Sequence, residues 1–238
     1  MTLIIQRHNY KSINRDETSG VRLYDCPDGS KVPSVTTILS ATQSSEKEEA
    51  LENWRNSVGH AKAKTITTEA ASRGTRLHKY LEDYALTGEL PKPGSNPYSK
   101  QSNLMAKTII DNGLVHVNEL WGSEIGLYYP GLYAGTADTI GVHKNEEAVL
   151  DYKQANKPKK LEHITDYFYQ LAAYALAHNQ VYGTNIKKGV ILMCVKPPEI
   201  KTWEWGEPQY LEFILEGKEF DRYTNLWWDR VEKYYQQN

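Results

Sequence analysis

Apolar positions recur along the chain with two different periods, and the switch between them divides it. Over residues 46–63, Leu51, Trp54 and Val58 fall at helical spacing, and over 68–86 so do Leu77, Leu81, Tyr84 and Ala85, with Gly88 just past the end. Two helices are predicted there, and a third over 100–112 after a Pro/Gly/Ser-rich connection at 91–97. Ahead of them LIIQ, VRLYD and KVPSV read as short strands, the last two joined by the turn sequence CPDGS, and Ser34 is placed to cap a short helix over VTTIL.

From Trp121 onward β-formers dominate. SEIGLYY, GLYAGTADTIGVH and EAVLDYK predict three successive strands. A long helix over 161–182 then carries Ile164, Phe168, Leu171, Ala175 and His178 on one face. GVILMCV reads as a buried strand, and TWEW and LEFIL as a further strand pair. Phe220, Tyr223, Trp227, Val231 and Tyr234 mark an amphipathic C-terminal helix. Helices, a meander, a crossover helix and another strand predict one α/β domain over 1–238, with an N-terminal strand and helical part in 1–120 and the sheet, crossover helix and C-terminal helix in 121–238.

Charged residues inside this strand pattern call for a reason. Residues i and i+2 of a strand share a face, so Asp151 and Lys153 point one way and Tyr152 the other. A two-residue turn centred between Lys144 and Asn145 pairs residues whose numbers sum to a constant, which sets Asp138 opposite Asp151. Two carboxylates ~5 Å apart repel by on the order of 3 kcal/mol at an effective dielectric of about 20. A divalent cation with a preference for oxygen ligands, Mg²⁺ or Mn²⁺, offsets that repulsion, and Lys153 beside it suits an anionic substrate. On the residues alone, an exposed polar strand face accounts for the same pattern.

Composition narrows the classes. Hydrophobic residues are 39% and charged residues 24%, as in a folded chain and unlike a disordered one. Cys26 and Cys194 are the only cysteines, which excludes a disulfide scaffold, a four-cysteine zinc site and a four-cysteine iron–sulfur cluster. The longest apolar run, VILMCV, is too short for a membrane span, and MTLIIQRHNYK has no signal-peptide apolar region, so a cytoplasmic protein is expected, bacterial or from a phage acting in its host. With 28 basic and 30 acidic residues, attraction to nucleic acid requires a local patch.

GTAD (Gly135–Asp138), LDYK (Leu150–Lys153) and YQLAAY (Tyr169–Tyr174), preceded in order by VPSVTTIL (Val32–Leu39) and RGTRLHKYLED (Arg73–Asp83), resemble the PD-(D/E)XK nuclease superfamily. The likeness is to its RecB-like exonucleases, the branch that includes the mitochondrial genome maintenance exonucleases and their phage relatives. It spans roughly residues 32–174. The resemblance implies a restriction-endonuclease-like core, a central mixed β-sheet flanked by helices, with the N-terminal strands and helices as an elaboration. It implies metal-dependent hydrolysis of DNA by Mg²⁺ or Mn²⁺ from a free end, with single strands preferred. A flap- or branch-specific endonuclease and a non-catalytic single-strand-binding module are the alternatives.

On that likeness Asp138 and Asp151 are metal ligands, the Tyr152 carbonyl a further oxygen ligand, and Lys153 the group that orients hydroxide and stabilises phosphorane oxygens. Ala137 stands where the nominal motif has proline. His78 and Glu82 share a helix face; on spacing alone they are a surface pair, and the resemblance implies His78 as a metal ligand with Glu82 beside it. Glu124 matches an acidic position that often precedes GTAD. Gln170 and Tyr174, at i and i+4, match the family's Q-x-x-x-Y signature and imply support of the lysine and the substrate backbone. Arg73, Arg76, Lys79, Lys157, Lys159 and Lys160 are candidate phosphate contacts. Trp54, Trp203 and Trp205 are core residues on general grounds, with stacking on unpaired bases as the other reading; Trp227 belongs to the C-terminal core stripe.

Overall fold

A computed structural model describes residues 4–16, 20 and 22–237. Three short strands, β1 (Asn14–Asp16), β2 (Leu23–Asp25) and β3 (Lys31–Pro33), form an antiparallel sheet in the order β1-β2-β3. LIIQ contributes one bridge, Ile4 to Leu120, instead of a strand, and its Leu3, like Val21 of VRLYD, lies outside the described residues. The short helix α1 (Val35–Ala41) follows, its first turn closed by Ser34, whose hydroxyl accepts the Thr37 N–H at 2.9 Å.

The helical block breaks elsewhere than the periodicity predicts. Helix α2 spans Ser45–Val58 and α3 spans His60–Thr87, so the boundary is Gly59 and not the threonine-rich stretch near residue 65. Gly59 sits at φ 86°, in the left-handed region where glycine alone carries no Cβ penalty. No residue of α2 is buried, so the Leu51/Trp54/Val58 stripe does not join the core; Leu51 is exposed, and Trp54 and Val58 line a cleft. Helix α4 spans Pro97–Asn112, with Asn96 capping Ser99 N–H and Pro97 in the first turn.

The central sheet contains β4 (Val117–Tyr129), β5 (Tyr133–His143), β6 (Glu146–Ala155), β7 (Gly189–Val195) and β10 (Gln209–Leu215), in the order β10-β7-β6-β5-β4. β4, β5 and β6 form an antiparallel meander; β7 runs parallel to β6 and antiparallel to β10. The crossover from β6 to β7 is α5 (Thr165–Tyr182), preceded by a 3-10 turn at Leu161–His163 that takes the first residues of the predicted helix. TWEW does not pair with LEFIL. β8 (Glu199–Lys201) and β9 (Glu204–Trp205) close a separate small hairpin, and LEFIL pairs with GVILMCV. Helix α6 (Gly217–Gln237) ends the fold.

The architecture is mixed α/β, with a central mixed sheet covered by helices on both faces. Alternation along β6 and β7 explains it. Val149, Ile191 and Met193 join the core formed with α1, α5 and α6, while Leu150, Tyr152, Leu192 and Cys194 join the core formed with α3 and α4. Phe220, Tyr223, Trp227 and Val231 of α6 are buried as the stripe requires. Cys26 and Cys194 are both buried free thiols. No helix among the described residues is long and apolar enough to cross a membrane.

Candidate active site

The site forms where two strands part. Lys144 and Asn145 both have positive φ, 50° and 68°, making the two-residue turn that suits a right-twisted hairpin. β5 and β6 therefore pair His143 with Glu146 and continue to Thr139 with Leu150. The paired residues end there. At the next position Oδ2 of Asp138 accepts the backbone N–H of Tyr152 at 2.6 Å, so a side chain takes the place of main-chain pairing. Beyond it β5 stays with β4, pairing Ala137 with Ile125, and β6 stays with β7.

The fork leaves Asp138 and Asp151 buried, at 8% and 4% exposure. Asp151 Oδ2 lies 2.5 Å from Lys153 Nζ in a buried ion pair. Burial raises the Asp151 carboxyl to about 6, with the Lys153 charge opposing and the Asp138 charge adding to the rise. Asp138 moves the other way: burial alone would raise it, but the neighbouring His78 and Lys153 charges hold it below its ordinary value. Burial disfavours the Lys153 ammonium, yet Asp151 and Asp138 hold its pKa above the usual lysine value.

His78 comes in from α3, on the opposite side of the sheet from α5. Its Nε2 lies 3.0 Å from the Tyr152 carbonyl oxygen, and its Nδ1 lies 3.4 Å from Asp138 Oδ1 and 3.9 Å from Glu124 Oε1. Burial opposes charge on the ring, but Asp138 and then Glu124 outweigh it and raise the imidazole to about 10. The imidazolium thus offsets carboxylate charge in the fork. Ligand-capable atoms of His78, Glu124 and Asp138 all lie within 4.8 Å of one another.

Glu124 enters the cluster by an unusual route. It has φ 52° in the middle of β4, between the pairs Ser123–Thr139 and Ile125–Ala137. A non-glycine residue in the left-handed region costs about 1 kcal/mol or more, and such strain collects at functional sites. Glu82 does not belong to this cluster; its carboxylate accepts from Lys79 Nζ at 3.3 Å. The His78/Glu82 face is real, but only the histidine reaches the fork.

Helix α5 supplies the remaining contacts. Gln170 Oε1 accepts from Lys153 Nζ at 3.4 Å, and Lys153 Nζ also sits 4.8 Å from the centre of the Tyr167 ring. Tyr167, three residues before Gln170 and so on the same helical face, went unnoticed in the sequence although i, i+3 spacing could have found it. Tyr174 is buried against Gly135: a Cβ on Gly135 would meet its ring at 2.8 Å and its hydroxyl at 2.9 Å.

The candidate phosphate contacts divide. Arg73 is 4% exposed and donates to Gln154 Oε1 at 2.8 Å and to Asn156 Oδ1, so it ties α3 to the end of β6 and is not a surface contact. Lys79 is paired with Glu82 and Asp83, and Lys160 lies near Glu162. Arg76 donates to Ser102 Oγ at 3.2 Å. Lys157 and Lys159 line a cleft of about 780 Å³ with Lys62, Lys196, Trp54 and Tyr167. Trp54 is half-buried in that cleft, and Trp203 is 51% exposed, so neither is a core residue; Trp205 is half-buried and Trp227 is fully buried.

No family model matches the chain. It is 28% identical over 220 residues to mitochondrial genome maintenance exonuclease 1 of Xenopus tropicalis, covering 85% of this chain and 57% of that protein. The proteins of the same name from Homo sapiens and Mus musculus are 25% and 26% identical, with 85% of this chain covered in each case and 58% and 59% of theirs. The chain is thus related over most of its length to proteins named as exonucleases, and it spans rather more than half the length of those relatives. Among solved structures, the crystal structure of SSO0001 overlaps 53% of this chain and 54% of that one at a TM-score of 0.29 and 16% identity, too loose an overlap to carry an argument.

Proposed function

We propose that this chain is a PD-(D/E)XK, RecB-like nuclease that hydrolyses DNA from a free end with the help of Mg²⁺ or Mn²⁺ and prefers single strands. The observation that carries the reading is the buried fork. Asp138, Asp151 and Lys153 converge there with His78 and Glu124, beside a cleft lined by lysines and aromatic rings. The relationship to exonucleases supports the same reading.

The residues fit a hard dication. Asp151 offers a buried carboxylate whose close cation is Lys153, and Asp138 and Glu124 add two carboxylates within reach of the His78 imidazole. Glu124, Asp138, Asp151, the Tyr152 carbonyl and His78, the last as the neutral ring once it gives up its Nδ1 proton, would hold the ion. When bound, it lowers the pKa of a coordinated water and neutralises charge on the scissile phosphate. The chain's own part is positioning. Tyr152 N–H fixes Asp138, and Gln170 and Asp151 fix the Lys153 ammonium where phosphate oxygens gain charge. Tyr167 keeps one face of that ammonium dry, and Tyr174 fills the space above Gly135.

The cleft supports the single-strand reading. Four lysines and a single glutamate line it, which supplies the local patch that a chain of net charge −2 needs to hold phosphates. Trp54 and Tyr167 in the same cleft offer faces for unpaired bases. The test is digestion of end-labelled single- and double-stranded DNA, linear and circular, with Mg²⁺ or Mn²⁺. Linear single strands should be shortened and circular ones survive. Rapid cutting of circles would turn the reading to an endonuclease, and no cleavage of any substrate with either metal would overturn it.

A further inference from the structure

A second cleft on another side of α3 takes no part in the chemistry above. Arg76, Tyr98, Lys196, Pro198, Trp203 and Trp205 are among the residues that line its volume of about 560 Å³. It draws on α3, α4 and the β8–β9 hairpin. The rings are in contact: Arg76 holds its guanidinium carbon 5.8 Å from the Tyr98 ring centre, and Tyr98 meets Trp203 edge to face at 5.6 Å.

The two indoles are held differently. Trp205 is fixed, its Nε1–H donating to the Pro97 carbonyl at 3.1 Å. Trp203 is displayed. It sits in the hairpin turn at φ 62°, a strained conformation for a non-glycine residue, with its backbone N–H donating to Glu199 Oε1 at 2.9 Å. Tyr98 and Trp203 remain 43% and 51% exposed, so core burial does not account for two large rings at this place.

We propose that this cleft is a stacking subsite for one base of the DNA strand, away from the reacting phosphodiester; the inference rests on the nuclease reading above. Glu69 and Lys196 line both clefts, so a strand leaving the lysine-lined cleft enters the second by passing α3. An unpaired base presents the π-face that Trp203 and Tyr98 accept, while Arg76 and Lys196 meet the flanking phosphates. Paired bases inside a duplex present no such face. A proline-rich peptide also uses aromatic clefts, but the boundary shared with the lysine-lined cleft favours nucleic acid.

The test uses the whole chain in EDTA, so that binding is read without cleavage. A labelled oligothymidine is bound in a series that moves a single abasic site along the strand, with affinity followed by anisotropy. In the wild type, one abasic position should weaken binding roughly tenfold through loss of stacking at Trp203. In Trp203→Ala the intact strand should bind about tenfold more weakly and that abasic position should no longer matter. Trp203→Phe should keep the wild-type pattern, and Trp54→Ala should keep the sensitivity at that position. Failure of the wild type to bind any single strand would count against the nuclease reading. Normal binding with no position coupled to Trp203, or a proline-rich peptide that quenches Trp203 when the strand does not, would overturn the subsite alone.

Discussion

The backbone N–H of Tyr152 donates to Oδ2 of Asp138 at 2.6 Å, just past Thr139 and Leu150, the last paired residues of their two strands. A charged acceptor makes a stronger bond than a neutral carbonyl, so the parting strands stay anchored. The other side of the same residue is equally engaged. The Tyr152 carbonyl faces His78 Nε2 at 3.0 Å, and its hydroxyl pairs with Thr139 Oγ1 at 2.7 Å. The residue between Asp151 and Lys153 thereby holds the first carboxylate and the imidazole in one arrangement.

Lys153→Met keeps the length of the side chain and removes its charge. Because Gln170 and Asp151 hold the ammonium beside the fork and the metal-capable cluster is His78, Glu124 and Asp138, metal binding by calorimetry should persist. Cleavage should fall by roughly a hundred- to a thousandfold, since positive charge is needed chiefly where phosphate charge develops. Loss of metal together with cleavage would give Lys153 a role in building the site instead.

Glu124→Gln and Glu82→Gln separate the two glutamates. Glu124 lies within the cluster and Glu82 is bonded to Lys79, so the first substitution should weaken Mn²⁺ binding by about tenfold or more and the second should leave it unchanged. Titration calorimetry of both variants decides it. Equal effects, or a larger one at Glu82, would remove Glu124 from the ligand set.

These glutamates also mark the limit of reading the sequence. Pairing by numbers works from the Lys144-Asn145 turn to Thr139 and Leu150, because a tight turn fixes register and alternation fixes faces. It sets Asp138 opposite Asp151 at the next position, but it does not reveal that a side chain takes over from the backbone there. The i, i+4 rule put Glu82 on the face of His78 correctly, but a shared face on a 28-residue helix does not mean a shared destination. Glu124 reaches the cluster from a distant strand through a left-handed backbone that no pattern announces. Arg73 reads as a phosphate contact because it flanks His78 in the sequence, and only the tertiary contact with Gln154 shows its structural use.

Gly135→Ala probes the packing behind the fork. The added Cβ would lie 2.8 Å from the Tyr174 ring and 2.9 Å from its hydroxyl, so a buried ring must move. Overpacking of this kind costs about 1–3 kcal/mol. The variant should melt lower and lose activity, and Gly135→Ala combined with Tyr174→Phe should recover part of the stability, because one of the two close atoms is gone. A melting temperature equal to the wild type would mean that the strand absorbs the methyl group without cost.

His143 predicts how the fold responds to acid. Its side chain is 0% exposed, and neither ring nitrogen has a hydrogen-bond partner. Burial lowers its pKa from 6.5 to about 4, with Glu212 acting against the shift and Lys144, Lys188 and His116 acting with it. The unfolded chain takes up a proton at this residue below pH 6.5, and the folded chain does so only near pH 4. The stability from this difference is therefore present in full above pH 6.5 and is lost as the pH falls to about 4, an amount on the order of 3 kcal/mol. His143→Leu removes both the titration and two unsatisfied buried nitrogens. Its stability at pH 7 should equal or exceed that of the wild type, and its decline toward pH 4 should be shallower by about one proton per molecule. The decline should not vanish, because His178 is also buried and lowered to about 3, with its Nε2 3.0 Å from Tyr10 and its Nδ1 2.7 Å from Thr184. Urea unfolding of both proteins at intervals between pH 7 and pH 4 measures the difference directly. Parallel curves would mean that His143 is already protonated in the fold, paired with the Glu212 carboxylate 3.7 Å away.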